Sequence, residues 1–263
     1  MGFRLGLAQS GYPADGDVLA QVRSFATSAA EQGVDLLVFP ECLMSPRELS
    51  AGELRELAEP LDGPFVQGVA AAARDHGLWI AFTMSEAGPE GAPYNAAVVV
   101  DDGGNLRGVY RKCHLYDAHG VRESDRMTAG AALAAPVKTP FCTLGLAICY
   151  DLRFPEGARA AALAGCDMLV YPSAWYDGPN KVSHWETLLR ARAIENELFV
   201  AGVCHAGERY VGRSLVADPL GRVLAQGPGG LEEALVVCDI DLSAVAAARD
   251  AMPVLDHRRP ELY

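Results

Sequence analysis

Apolar and polar residues along the chain switch between strand-like runs and helical spacing. Phe3–Ala8 is a short apolar run with β character. Asp17–Gln32 places Val18, Leu19, Val22, Phe25, Ala26 and Ala29 at helical intervals before Gly33, a residue suited to ending a helix. Asp35–Phe39 predicts an apolar strand running into Pro40-Glu41, and Phe65–His76 predicts an Ala-rich helix stopped by Gly77. Leu78–Met84, Asn95–Asp101 and Leu106–Tyr110 then read as successive strands, with a turn at Asp102-Gly103-Gly104. The second half repeats the alternation. Strand Cys142–Ile148 leads to helix Pro155–Ala164, with Pro in its first turn. Strand Asp167–Tyr171, amphipathic helix Val182–Asn196 and strand Leu198–Val203 follow. Val211–Ala217, Val223–Gln226 and Ala234–Ile240 predict a terminal meander, Leu242–Arg249 a last short helix, and Ala251–Tyr263 a tail without helical pattern.

Apolar strands with helices between them predict the α/β class. No low-complexity linker divides the chain, so residues 1–263 are expected to form one domain of mixed sheets with helices outside. The periodicity is the same for one sheet and for two stacked ones. A length of 263 residues and 50% apolar content support a sizeable core and exclude a disordered chain. The net charge of −12, from 22 Lys+Arg against 34 Asp+Glu, argues against nucleic acid or an anionic membrane as partner. Met1–Ser10 lacks a signal-peptide pattern, and no apolar run approaches about 18 residues. A cytoplasmic protein is expected, its seven Cys reduced thiols. Neither Cys nor His shows zinc-ligand spacing, so no metal is expected. Gly227-Pro228-Gly229-Gly230 precedes no helix and reads as a turn rather than a phosphate cradle.

Ligands of α/β folds bind beyond the carboxyl ends of strands. Three ionisable residues stand there: Glu41 after Asp35–Phe39, Lys112 after Leu106–Tyr110 and Cys149 after Cys142–Ile148. Together they supply a base, a cation and a nucleophile. A thiol near its free pKa is little ionised at neutral pH and needs activation, which a carboxylate in hydrogen-bond reach provides as general base. An ammonium stabilises the oxyanion of a tetrahedral intermediate, with the backbone N–H of Tyr150 as second donor. Taken singly, each residue is more often a core thiol or a solvated charge than a catalytic group.

Phe39-Pro40-Glu41, Tyr110-Arg111-Lys112-Cys113-His114-Leu115 and Cys149-Tyr150-Asp151-Leu152-Arg153-Phe154-Pro155-Glu156 resemble, in order and spacing, the three signature segments of the nitrilase (carbon–nitrogen hydrolase) superfamily. The resemblance continues through Tyr171-Pro172-Ser173-Ala174, His184-Trp185-Glu186, Arg190–Asn196 and the tail Arg258–Tyr263, and so covers nearly the whole chain. It implies a four-layer α-β-β-α sandwich, a catalytic Glu41, Lys112 and Cys149, and no cofactor. Glu41 would be the general base, Lys112 the oxyanion stabiliser and proton donor, Cys149 the nucleophile. Many relatives carry a second Glu in a Glu-Ser loop; Glu123-Ser124 matches it, so Glu123 is the candidate to orient Lys112 and the substrate. The alternative for Glu123 is a loop carboxylate between Arg122 and Arg126.

The Cys-Tyr-Asp-x-Arg-Phe-Pro-Glu form resembles the Nit branch, which implies a small aliphatic, carboxylate-bearing amide as substrate, of the ω-amidase or deaminated-glutathione amidase type. An N-carbamoyl-amino-acid amidohydrolase or general aliphatic amidase on the same triad is the alternative. Tyr150 stands where true nitrilases usually have Trp, which weighs against a nitrile, and three intact reactive groups weigh against a scaffold. The segment His119–Asp125 departs from the animal Nit pattern. Arg153 either binds a substrate carboxylate or pairs internally with Asp151 or Glu156. Trp175 and Tyr176 either line the pocket or pack in the core or an interface. Glu186 and Arg190, at i,i+4, are expected to pair. Cys42 and Cys113, on extended chain, should point away from Glu41 and Lys112 as packed thiols. His114 and His184 are expected to be structural. The family implies a homodimer or higher homo-oligomer, with the tail, residues 251–263, reaching the partner.

Overall fold

The computed structural model describes residues 2–46, 49–88 and 91–262; Met1 and Tyr263, the ends of the expected domain and tail, lie outside them. The first half runs β1 (Gly2–Gln9), α1 (Val18–Glu31), β2 (Leu36–Val38), α2 (Ala51–Leu57), α3 (Pro64–His76), β3 (Trp79–Glu86), β4 (Tyr94–Val100) and β5 (Leu106–Arg111). A small hairpin follows, β6 (Asp117–Ala118) with β7 (Val121–Arg122), and then β8 (Val137–Lys138), β9 (Thr143–Leu146), α4 (Pro155–Leu163) and β10 (Met168–Ser173). The chain ends with α5 (Lys181–Asn196), β11 (Phe199–Cys204), β12 (Leu215–Ala217), β13 (Val223–Gln226), β14 (Ala234–Asp241) and α6 (Ser243–Ala251). No helix among the described residues is long and apolar enough to cross a membrane.

Two six-stranded sheets form the centre, in the orders β14-β1-β2-β3-β4-β5 and β13-β12-β11-β10-β9-β8. Each has a parallel core, β1-β2-β3 and β9-β10-β11, extended by antiparallel strands. The period of two along a strand builds the layers. On β3, Trp79 and Ala81 pack against the second sheet, while Ile80, Phe82 and Met84 pack under α1 and α3. On β4, Ala97 and Val99 divide in the same way from Ala96, Val98 and Val100. The outer face of the second sheet is covered by Ala158 and Ala162 of α4 and by Trp185, Leu189 and Ala193 of α5. Gly202 of β11 makes room for that cover, since a Cβ there would lie 2.6 Å from the Trp185 ring. The result is the four-layer α-β-β-α sandwich. Strands buried on both faces explain why they read as near-continuous apolar runs.

Two features depart from the sequence pattern. The expected meander breaks after β13: β12 and β13 pair with each other, but β14 crosses to the other sheet and pairs antiparallel with β1 over its whole length. The Gly-Pro-Gly-Gly turn makes the crossing. Gln9, buried at the end of β1, donates to the carbonyls of Pro228 and Glu232 at 2.8 Å each. β14 thereby closes the first sheet's edge at β1, and strand pairing at such a distance leaves no local trace. The other departure is α2, which the apolar spacing does not announce. A capping box holds it, Ser50 accepting from the Glu53 N–H while Glu53 accepts from the Ser50 N–H.

Candidate active site

Glu41 opens the turn that follows β2, and that turn is anchored from β3: Thr83 Oγ1 donates to the Pro40 carbonyl at 3.0 Å and accepts from the Leu43 N–H at 3.2 Å. Lys112 directly follows β5, its N–H donating to the Asn95 carbonyl at 2.9 Å. Both side chains are fully buried, and Lys112 Nζ lies 2.8 Å from Glu41 Oε1. Glu123 is buried as well, with Oε2 at 2.9 Å from the same ammonium. The loop-carboxylate alternative between Arg122 and Arg126 therefore does not describe its surroundings. Asn95 Nδ2 donates to Glu41 at 2.8 Å and to Glu123 at 3.3 Å, and the Tyr116 N–H donates to Glu123 Oε2 at 2.7 Å. A buried charge is tolerated only when paired and hydrogen-bonded, and these donors provide that for both carboxylates.

Cys149 begins the short 3-10 turn Cys149–Arg153 behind β9, with φ of +43°, a left-handed conformation unusual for a residue other than glycine. Asp151 ties this turn to the end of β5. Its Oδ2 accepts from the Ile148 N–H and from the Tyr110 hydroxyl, each at 2.8 Å, and its Oδ1 lies 2.7 Å from His114 Nδ1. Burial and the Asp151 charge push the Tyr110 phenol up, so it stays protonated and donates. His114 in turn stacks on Phe154, ring centroids 3.8 Å apart. From the other side, Arg192 of α5 donates from Nε and Nη2 to the Leu152 carbonyl at 3.1 and 2.8 Å. The turn is thus fixed from a strand end and from a helix.

Cys149 lines a pocket with Tyr116, Tyr150, Arg153, Ala174, Trp175, Tyr176 and Lys181. Ala174 joins this pocket to the buried charges, because its N–H donates to Glu41 Oε2 at 2.9 Å. The Arg153 guanidinium lies 4.7 Å from the Trp175 ring centroid, and among the described residues no ion pair joins it to Asp151 or Glu156. Tyr150 meets the rings of Tyr116 and Phe154 edge-on, and Tyr176 stacks on Tyr210. His205 backs the Glu41 turn, its ring nitrogens facing the carbonyls of Ser10 at 2.9 Å and Glu41 at 2.5 Å.

Three residues of this constellation escaped the sequence reading. Asn95 was legible as a polar residue opening an otherwise apolar strand. Tyr116 carried no signal. Lys181 is one of only three lysines and starts a helix, yet nothing local points it toward Cys149. Burial and the neighbouring Arg153 lower its pKa, with Cys149 acting in the opposite sense.

Two local expectations are corrected. Glu186 and Arg190 do not pair: Arg190 donates to the Gly221 carbonyl at 2.8 Å, while Glu186 accepts from Gln226 at 2.8 Å and faces Arg213 at 3.5 Å. Partners distant in the sequence outcompete the i,i+4 neighbour. Cys42 is not on extended chain but in a turn with φ of +56°, so alternation does not set its direction. Cys113 packs its sulfur 3.1 Å from the Ala132 carbonyl, and burial pushes its thiol up.

The sequence profile of the family described as carbon-nitrogen hydrolase matches residues 5–250. Deaminated glutathione amidase of Bos taurus is 39% identical over 80% of this chain and 68% of its own length. Omega-amidase NIT2 of Homo sapiens is 36% identical over 99% of this chain and 96% of its own. Among solved structures, the C. elegans NitFhit protein superposes with a TM-score of 0.90 at 33% identity, over 100% of this chain and 66% of that one.

Proposed function

Because the chain belongs to the carbon–nitrogen hydrolase family and is a hydrolase of carbon–nitrogen bonds, we propose that Glu41, Lys112 and Cys149 are its catalytic triad, with Glu123 positioning Lys112. The observation that carries this reading is Lys112 held between Glu41 and Glu123 out of water, with Ala174 linking Glu41 to the pocket of Cys149. In the first half-reaction Glu41 takes the thiol proton and the Cys149 sulfur attacks the amide carbonyl. Lys112 and the N–H of Tyr150 hold the oxyanion, acting where charge develops and water is excluded. The C–N bond breaks as the nitrogen leaves with the proton from Glu41, giving ammonia and a thioester. Water then attacks the thioester, Glu41 again takes a proton, and the acid departs with Cys149 restored.

The substrate is a small aliphatic amide bearing a carboxylate, of the kind named for the omega-amidase and deaminated glutathione amidase relatives. Arg153 beside Trp175 supports this, since a guanidinium fork matches a carboxylate. Tyr150, Trp175 and Tyr176 shape the pocket around the aliphatic part. The protein works as a homodimer or higher homo-oligomer through α4, α5 and the tail. Leu163 and Ile194 are about half exposed on those helices, and a groove bounded by Arg159, Leu163, Glu195 and Arg258 joins them to the tail. Its seven free thiols suit a reducing cytoplasm.

Ammonia release from 2-oxoglutaramate, deaminated glutathione, N-carbamoyl amino acids, simple amides and nitriles tests the substrate class. Turnover of a carboxylated amide that disappears in Cys149→Ala is expected. Retained turnover in that variant rules out the thioester route, and a strong preference for N-carbamoyl amino acids selects the sister activity on the same triad. Light scattering on the eluting peak tests the assembly, a monomer mass excluding it.

A further inference from the structure

Arg153 and Lys181 stand on the same aromatic surface. Their charged ends lie 4.7 and 5.9 Å from the Trp175 ring centroid, and Lys181 Nζ is also 5.9 Å from the ring of Tyr116. Among the described residues, neither cation has a carboxylate partner. Other basic side chains do: Arg111 bonds Glu86, Arg192 bonds Glu195 and Arg4 bonds Asp239.

Lys181 sits where local electrostatics disfavour it. It is the first residue of α5, whose first turn holds no acidic residue, and the N-terminus of a helix is its positive end. It is partly withdrawn from water, and the neighbouring charge of Arg153 is of like sign. The position is nevertheless well defined, because Trp175 Nε1 donates to the Lys181 carbonyl at 3.1 Å. Helix position, partial burial and a like-charged neighbour stand against the rings of Trp175 and Tyr116 and the neighbouring Cys149, and a ligand carboxylate would supply the counter-ion that this balance lacks.

We propose that Lys181 is a specificity-determining residue, closing with Arg153 a two-cation clamp beside Trp175 that grips the carboxylate of the substrate while its amide lies at Cys149. Trp175 serves both cations through its π-face and fixes the start of α5 through its N–H, so one side chain sets the clamp's shape. The aromatic walls exclude water from the ion pairs, which strengthens them. This rests on the carboxylated-amide reading and adds the residue that enforces it.

The test uses 2-oxoglutaramate and 4-oxopentanamide, a matched pair in which a methyl group replaces the carboxylate. The wild-type enzyme is expected to prefer 2-oxoglutaramate. Lys181→Met should lower the ratio of the two kcat/KM values by about tenfold or more, mainly through KM of the anionic amide. Lys181→Arg should restore most of the ratio, which a purely structural loss would not allow. Direct titration of 2-oxoglutaramate into Cys149→Ala, with and without Lys181→Met, should show the same loss in affinity. A wild-type preference that survives Lys181→Met within about twofold overturns the clamp and leaves the carboxylated-amide reading standing. A wild-type enzyme indifferent to the carboxylate overturns that reading, and the clamp with it.

Discussion

Lys112 Nζ and Glu123 Oε2 lie 2.9 Å apart, out of contact with solvent. Glu41 takes the other side of the same ammonium, so one lysine stands between two carboxylates. Glu123 is itself fixed by the Tyr116 N–H and by Asn95, and therefore it sets where the ammonium points.

Glu123→Gln keeps the shape of the side chain and removes its charge. Loss of a well-aimed electrostatic group in a dry site lowers kcat by about a hundredfold or more. Glu123→Ala also orphans the Tyr116 N–H and one side of Lys112, which costs about 3–5 kcal/mol for a broken buried pair. Ammonia-release kinetics and urea unfolding separate the two effects. A Gln variant with unchanged kcat would remove Glu123 from the machinery.

Cys149 holds φ at +43°. A left-handed non-glycine residue costs about 1–3 kcal/mol, whereas glycine costs about 0.4–1 kcal/mol through the freedom of the unfolded chain. The first effect is the larger. Cys149→Gly should thus be more stable than Cys149→Ala by about 1 kcal/mol, although both release no ammonia. Urea midpoints of the two variants decide it, and the reverse order would show that the turn is unstrained.

Asp151 bonds both the strand end before Cys149 and the hydroxyl of Tyr110, which stands two residues before Lys112 in sequence. Asp151→Ala leaves two buried donors without acceptors, at about 1–3 kcal/mol each. Loss of registry between nucleophile and ammonium should cut kcat in molecules that still fold. Kinetics below the unfolding temperature check this, since normal kcat there would make Asp151 a stability residue alone.

Burial pushes the thiols of Cys142 and Cys204 up to about 12. In the unfolded chain a thiol ionises near about 8.5, so above that pH the unfolded state has released protons that the native state keeps. Stability is fully present below that value and falls as pH rises toward 12, by up to about 1.4 kcal/mol per pH unit per thiol. Urea midpoints between pH 8 and 10.5 should drop more steeply for the wild type than for the Cys142→Ala/Cys204→Ala variant. Equal slopes would show that these thiols do not drive alkaline unfolding.

The strand ends carrying Glu41, Lys112 and Cys149 were legible because each is local: an apolar run stops and an ionisable residue follows it. The layer assignment of β3 and β4 follows from alternation alone once two faces are known to be buried. The Glu186–Arg190 pairing failed for the opposite reason, since i,i+4 proximity competes with partners that spacing does not reveal.

Periodicity depends on neighbours a few residues apart, and it was enough for most of the element order and for the buried runs. Which residues meet depended on strand order within the first sheet and on the stacking of the two sheets. Lys112 reaches Glu41 across 71 positions, and the Ala174 N–H reaches Glu41 across 133. The crossing of β14 to β1 and the approach of Lys181 to Arg153 belong to the same class. Such contacts are selected by burial and by the need to pair charge away from water, forces that act on distance in space and leave no mark at any fixed interval along the chain.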